Sequence, residues 1–476
     1  MSTGRTSLSF ILACSLVACG GGGGSGGGAP IGGGGPTPTP STAACSLSAR
    51  QDFAKSVIDE WYLFPTLVDN SVNKANHSTV QSYIDALVAP ARAQNRDRGF
   101  TYITSIAEEN AFYNSGSSAG FGFRLGYDTS QNRVFVLESY EAAPALNAGI
   151  DRGAEIVAIG TSASNLQSVA SLMASGGSQA VVNALGPSDA GVTRVLRVNR
   201  GGTLSDITLT KTDFSIDPVS NRYGAQILND GGKRVGYINL RTFIGAPAEQ
   251  DLRAAFAEFR AQGVTEVIVD LRYNGGGLVS TAELFGDLLA ANKVGQVFSR
   301  TAFRQTKASN NSVKNFAAQP QAIAATKIAF IGYSGTASAS ELLANAFIPY
   351  LGANTALIGA NTFGKPVGQI ALDNAACDDR MRVMAFQTEN AAGQGNYFTG
   401  LASVFQRTCA APDDITRQLG DPNESAIKAA LDFLAGRACT PISSSAGQGT
   451  LSAAPKRELM RPAEPRAAQQ DLPGLF

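Results

Sequence analysis

The chain has 476 residues, with 38 Lys plus Arg set against 38 Asp plus Glu and a sequence pI near 6.6. That length supports two or three domains around a sizeable core, and the even charge excludes a basic nucleic-acid surface and strong electrostatic steering. One histidine and six cysteines leave little room for histidine-based or metal chemistry.

Residues 1–18 read as an export signal. Arg5 supplies positive charge, and Leu8 to Val17 is an apolar stretch too short to span a bilayer. The closing tetrapeptide Leu16-Val17-Ala18-Cys19 resembles a bacterial lipobox. That resemblance implies cleavage before Cys19, lipidation of its thiol and, with Gly20 following, an outer-membrane anchor facing the periplasm. Residues 19–44, rich in Gly, Pro, Ser and Thr, cannot bury apolar surface and read as a tether reaching about 25–30 Å. Setting aside Cys14 and Cys19, four cysteines remain, which outside the cytoplasm suggests two disulfides with three possible connectivities. The expected pairing is Cys377–Cys409, closing a local loop, and Cys45–Cys439, tying the ends together. These spacings do not suit a zinc site, and no cofactor is expected.

Residues 45–113 carry a helical period: Phe53, Val57 and Trp61 line one face, and Val80, Tyr83, Ile84 and Leu87 another. His77 lies in the polar run 73–78 and reads as a surface-loop residue. Over residues 114–214 the period becomes that of strands, at 121–125 and 133–137. A short glycine-ended helix follows over 142–150, then a strand to Gly160. This order resembles a PDZ domain, although Ala154-Glu155 stands where that family usually has an aspartate. By that resemblance Gly120, Phe121, Gly122 and Phe123 form the loop that takes a peptide's C-terminal carboxylate. The alternative is a small β unit that binds nothing.

Residues 215–440 alternate strands with amphipathic helices, which predicts an α/β core. Strands are expected over 235–240 and 264–271. A glycine turn follows at 274–277, then strands at 327–331 and 356–358. A helix begins after Ser338. Residues 441–476, rich in Ser, Ala, Pro and Gln, are expected to be disordered.

A serine nucleophile needs a base. His77 is badly placed, no Gly-x-Ser-x-Gly elbow exists, and Ser71-x-x-Lys74 lies in a polar loop without partner motifs. What remains is Lys365, flanked by Phe363 and Val367, where desolvation would lower an amine pKa.

Three motifs then occur in order: Asp270-Leu271-Arg272-Tyr273-Asn274-Gly275-Gly276-Gly277, Thr336-Ala337-Ser338-Ala339-Ser340-Glu341 and Thr362-Phe363-Gly364-Lys365-Pro366-Val367-Gly368-Gln369. Together they resemble the C-terminal processing peptidases, serine peptidase family S41. The resemblance covers about residues 50–435 and implies an α/β multidomain protein. Its parts would be a helical N-terminal domain, a PDZ-like β domain and an α/β core of the crotonase or Clp protease kind. By position, it implies Ser338 as nucleophile, Lys365 as general base and Gln369 as the residue that orients the lysine. It also implies an oxyanion hole from the amides of Ala339 and of Gly275 or Gly276. The connection from Ser338 to Lys365 is longer than the family's, and Pro366 replaces a common glycine.

Ser338-x-x-Glu341 is equally a capping box, in which both side chains satisfy helix N–H groups, so Glu341 is read as a cap or a further orienting group. The implied activity is cleavage of envelope proteins or peptides with exposed C-termini. A non-catalytic PDZ-type lipoprotein that binds tails or scaffolds envelope proteins is the alternative, and an esterase on the same core a third.

Overall fold

A computed structural model describes residues 44–443 and 457–476. The expected signal, lipidation site and most of the tether lie outside the described residues.

The chain has a mixed α/β multidomain fold. At its centre is a six-stranded sheet, ordered Ala225–Asp230, Lys233–Asn239, Glu266–Asp270, Lys327–Gly332, Thr355–Gly359 and Thr408–Ala410. The first pair is antiparallel and the rest are parallel. Both faces are covered, which is why these strands read as unbroken apolar runs rather than alternating ones. Val267, Val269, Ile328 and Phe330 face the helices Gly245–Ala261, Val279–Leu289 and Ala339–Leu351, through Phe256, Leu288 and Phe347 among others. Ile268, Ala329, Ile331 and Ile358 face the helix Ser425–Leu434 on the other side, through Ile427 and Leu431. The parallel arrangement delivers the ends of strands Glu266–Asp270 and Lys327–Gly332 to one edge, and the glycine turn and the Ser338 turn both leave from there.

A second sheet is built around the hairpin Val367–Asn374 and Asp379–Glu389. The N-terminal helices Leu47–Trp61 and Val80–Leu87 pack on it, with Val57, Ile58, Tyr83, Ile84 and Leu87 against Met381, Val383 and Met384. The helical periods at 53–61 and 80–87 therefore found their partner in a hairpin some 300 residues away. Among the described residues no helix is long and apolar enough to cross a membrane.

That packing also decides the disulfides, which differ from the expected pairs. Cys45, just before the first helix, is joined to Cys377 in the hairpin turn, 332 residues on. Arg50 on that helix grips Asp379 across the same contact. Cys409, on the edge strand of the central sheet, is joined to Cys439, where the chain returns after helix Ser425–Leu434 and Thr440 accepts from the Ala410 N–H. Neither Cys377–Cys409 nor Cys45–Cys439 forms, because Cys45 meets Cys377 beside the second sheet while Cys439 meets Cys409 at the edge of the central sheet.

Residues 123–210 form another sheet, with strands Phe123–Asp128, Arg133–Ser139, Glu155–Gly160, Thr193–Arg200 and Thr203–Thr210 in neighbouring order. The helix Val169–Leu185, kinked at Gly176 and Gly177, closes its core through Val181 and Leu185. Its edge carries an unexpected guest. The segment from Arg457, which was expected to be disordered, folds. Glu458–Leu459 adds to the strand Phe123–Asp128, and Ala467–Asp471 forms one short helix. Residues 444–456 lie outside the described residues.

Candidate active site

Ser338 is the N-cap of the helix Ala339–Leu351, as its position before the apolar period predicted. Its backbone, at φ 56° and ψ −116°, lies in the left-handed half of the map. A non-glycine residue there is strained by roughly 1–3 kcal/mol and stays only if its surroundings hold it. The holding contacts are visible. Ala337 N–H and the Ser340 hydroxyl both donate to the Asn274 carbonyl, and Thr336 Oγ1 donates to the Leu271 carbonyl. The Ser338 turn is therefore pinned to the glycine turn, and a side chain on Gly276 would come within 2.8 Å of Ser338 Cβ.

The two candidate glycine amides are now distinguishable. The Asn274 side chain folds back to accept from the Gly276 N–H at 2.9 Å while its Nδ2 donates to the Leu240 carbonyl at 2.8 Å. Gly276 N–H is thus already used. Gly275 N–H points outward and donates to a carbonyl of the C-terminal segment, Asp471 O, at 3.1 Å. Ala339 N, the first amide of the helix, lies on the same side, 3.2 Å from where a Gly276 Cβ would sit. A helix N-terminus carries partial positive charge, so this amide is suited to an anionic oxygen.

Glu341 joins the two halves of the site. Fully buried, its carboxylate accepts from Ser338 N at 3.2 Å and Lys365 N at 2.7 Å through the same oxygen. The other oxygen accepts from Gly364 N and Thr362 Oγ1. The backbone of Ser338 and that of Lys365 are thereby tied to a single atom. Burial raises the Glu341 carboxyl above its ordinary value, and these donors offset only part of that rise. Arg98 holds the outer side of the lysine turn, donating to the carbonyls of Phe363 and Gly364 and stacking on the Phe363 ring at 4.0 Å.

The Lys365 amine donates to Gln369 Oε1 at 3.0 Å and sits 5.0 Å from the centre of the Phe100 ring. Gln369 Nε2 donates to the Phe100 carbonyl, which fixes its amide so that oxygen faces the lysine. Desolvation lowers the Lys365 pKa to about 8, with Asp471 and Asp97 opposing it. A useful fraction of neutral amine therefore exists near neutral pH.

The segment Gly120-Phe121-Gly122-Phe123 forms the turn into the strand Phe123–Asp128. Gly122 N–H and Phe123 N–H both donate to the terminal carboxylate oxygen of Phe476, at 2.9 and 3.2 Å. Gly120 has no room for a side chain, since a Cβ would lie 2.7 Å from the Phe476 carboxyl carbon. Arg124, fully buried, connects this edge to the site: it donates to the Tyr273 carbonyl at 3.0 Å and to Pro473 O at 2.6 Å, and pairs with Glu138. His77 sits apart, beside the Tyr83 ring. Among the described residues no group of three or more His, Cys, Asp or Glu side chains is arranged to hold a metal.

Residues 234–394 match the model of peptidase family S41, a span that contains the glycine turn, Ser338, Glu341, Lys365 and Gln369. The chain carries a peptidase family S41 domain. Its enzyme class is that of the serine peptidases. A carboxyl-terminal-processing protease of Synechocystis sp. is 26% identical over 337 residues, covering 68% of this chain and 70% of that protein. The chloroplastic C-terminal processing peptidase of Tetradesmus obliquus is 32% identical over 278 residues, 54% of each chain. A candidate S41 protease from Bacteroides fragilis, known as a crystal structure, shares the fold with a TM-score of 0.62 at 22% identity, over 81% of this chain and 97% of that one.

The sequence pattern marks Glu341 only as a cap or a further orienting group and assigns no role to the side chains of Asn274, Arg98 or Phe100. Glu341 had a signal, the capping-box spacing, but that spacing concerns only its helix. Its bonds to Thr362, Gly364 and Lys365 span more than 20 residues and have no local signature.

Proposed function

We propose that this chain is a serine endopeptidase that uses a Ser338/Lys365 dyad to cleave envelope proteins or peptides near their C-termini. The observation that carries the reading is Glu341, which ties the Ser338 and Lys365 backbones to one carboxylate oxygen and so holds the two turns together. Neutral Lys365 takes the proton of Ser338 Oγ as that oxygen attacks the scissile carbonyl carbon. The oxyanion is received by the N–H groups of Gly275 and Ala339; losing one such donor typically costs roughly 3–4 kcal/mol. Collapse expels the amine, which takes the proton back from Lys365. Water, deprotonated by the same lysine, then hydrolyses the acyl ester.

Residues 114–214 act in this reading as a PDZ-like domain that selects substrate tails, between a helical domain over 45–113 and a peptidase core over 215–440. Support comes from the amides of Gly122 and Phe123, which already hold a chain terminus. Lipidation at Cys19 would anchor the enzyme at the outer membrane, facing the periplasm. The test is hydrolysis of an unfolded protein such as casein by mature enzyme. Cleavage that survives both Ser338→Ala and Lys365→Ala sinks the dyad; tail binding without turnover of any peptide, including those ending in an apolar residue with a free carboxylate, supports the non-catalytic reading instead.

A further inference from the structure

The C-terminal segment fills the site described above. Gly474 to Phe476 adds antiparallel to the strand Phe123–Asp128: Phe476 N–H donates to Phe123 O, Leu125 N–H donates to Gly474 O, and the terminal carboxylate takes the Gly122 and Phe123 amides. The Phe476 side chain is buried in the same core as Phe121, Phe123 and Met460. Five residues upstream, the Asp471 carbonyl occupies the Gly275 amide. The Asp471 carboxylate accepts from the Tyr113 hydroxyl at 2.7 Å. Between these anchors Leu472 and Leu475 are buried against Phe112, Tyr140, Phe214 and Ile244.

Two facts separate this occupant from a substrate. The Asp471 carbonyl ends a helical turn, Ala467–Asp471, whereas a peptide aligned for attack must present an extended, accessible bond. The next amide, Leu472 N–H, is tied to the Ala468 carbonyl at 2.9 Å, so the would-be leaving group is held inside the turn. The turn is further locked by Gln469, whose Nε2 donates to Leu475 O and whose Oε1 accepts from Arg466 N.

We propose that residues 457–476 are a built-in inhibitor, which seats its own carboxylate in the peptide loop and a helical carbonyl on the Gly275 amide. It is displaced by chains ending in a large apolar residue with a free carboxylate. The proposal rests on the peptidase reading for its inhibitory sense, although occupancy of the groove can be measured separately. A tethered tail acts at an effective concentration in the millimolar range. A competing tail must therefore match that concentration or bind correspondingly more tightly than residues 457–476 to open the site, and activity should follow such tails rather than any unfolded protein.

The experiment compares the full chain with two full-length variants, Phe476→Asp and a Gly-Ser-Gly extension beyond Phe476, each checked for unchanged thermal unfolding of the core. The reporter is a fluorogenic peptide with an amidated C-terminus, which cannot itself compete for the loop. Both variants should hydrolyse it faster than the parent, by roughly tenfold or more. A synthetic peptide of residues 466–476 should inhibit Phe476→Asp in trans, and its C-terminal amide should do so far less well. Equal rates for parent and variants overturn the proposal. So does mass-spectrometric loss of Leu472–Phe476 from the parent but not from Ser338→Ala, which would make the tail a substrate. If no protein hydrolyses the reporter, the peptidase reading fails. Binding of a labelled 466–476 peptide to Phe476→Asp then decides occupancy: saturable binding sustains it, and none overturns it.

Discussion

Lys365 and Arg241 are both cations drawn out of water, and they meet opposite fates. Arg241 is fully buried among Glu138, Glu141 and the Tyr223 hydroxyl, with hydrogen bonds of 2.7–2.8 Å to each. Its charge is retained. Burial alone would raise the Glu138 carboxyl, but Arg241 and Arg124 outweigh it and bring it down to about 2. Lys365 has one neutral acceptor, Gln369, and an aromatic ring, so desolvation dominates and the amine falls to about 8. The same loss of water leaves a charge intact where carboxylates bond it directly. It lowers the pKa where, as at Lys365, the carboxylates of Asp471 and Asp97 act only from a distance and a neutral amide is the direct partner. The first arrangement suits a joint between parts of the fold, and the second suits a base.

The largest expected break in this contrast comes from Lys365→Arg. Guanidinium cannot be deprotonated, so activity should fall on the order of 10⁴-fold or more, as for Ser338→Ala. Single-turnover kinetics on a peptide substrate would measure this, and appreciable activity in Lys365→Arg would show that the base lies elsewhere. Arg241→Met tests the other side. Leaving Glu138 and Glu141 short of a partner should cost about 3–5 kcal/mol of stability, read by denaturant unfolding. The Glu138 contribution in the parent is fully present above pH 4.5, its ordinary value, and is lost only as pH falls toward about 2. An Arg241→Met chain with unchanged unfolding would show the cluster to be dispensable.

Glu341→Gln should have an intermediate effect. It swaps one acceptor oxygen for an NH₂ that faces donors, so we expect about 2–3 kcal/mol less stability and a 10–100-fold lower kcat. A wild-type kcat in this variant would mean that the Ser338 and Lys365 turns hold their places without it. The smallest effect concerns pH. With Lys365 as the proposed base, kcat/KM should rise with pH to a plateau, with its midpoint near 8. Gln369→Glu places a carboxylate against the ammonium and should move that midpoint upward by about one to two units, lowering the rate near neutrality on the order of tenfold. A midpoint that stays put would separate Gln369 from the lysine's protonation.

How much of this was readable in advance depends on the range of each interaction. The strand runs at 235–240, 264–271, 327–331 and 356–358 all lie within one or two residues of observed strands, because burial on both faces leaves an uninterrupted apolar signal. Ser338 stood at the start of a helix because N-capping is a local bond. The glycine turn was visible as a motif, but the choice of Gly275 over Gly276 hangs on where the Asn274 side chain folds. Disulfide pairing was misread because loop length along the chain says nothing about which segments packing brings together. The tail was misread because its composition is polar on average, and Leu472, Leu475 and Phe476 are apolar only where a preformed edge receives them.

By itself, then, the sequence determined the α/β class, the position of the helix cap, the family resemblance and the absence of a well-placed histidine. These follow from periodicity, short-range hydrogen bonding and residue counts. Tertiary structure alone decided the rest: Glu341 spanning two turns, Lys365 losing its water, the cysteine partners and the C-terminus returning to the Gly275 amide. Each of those is a contact between segments far apart in the chain, and its free energy comes from desolvation that exists only once both segments are in place.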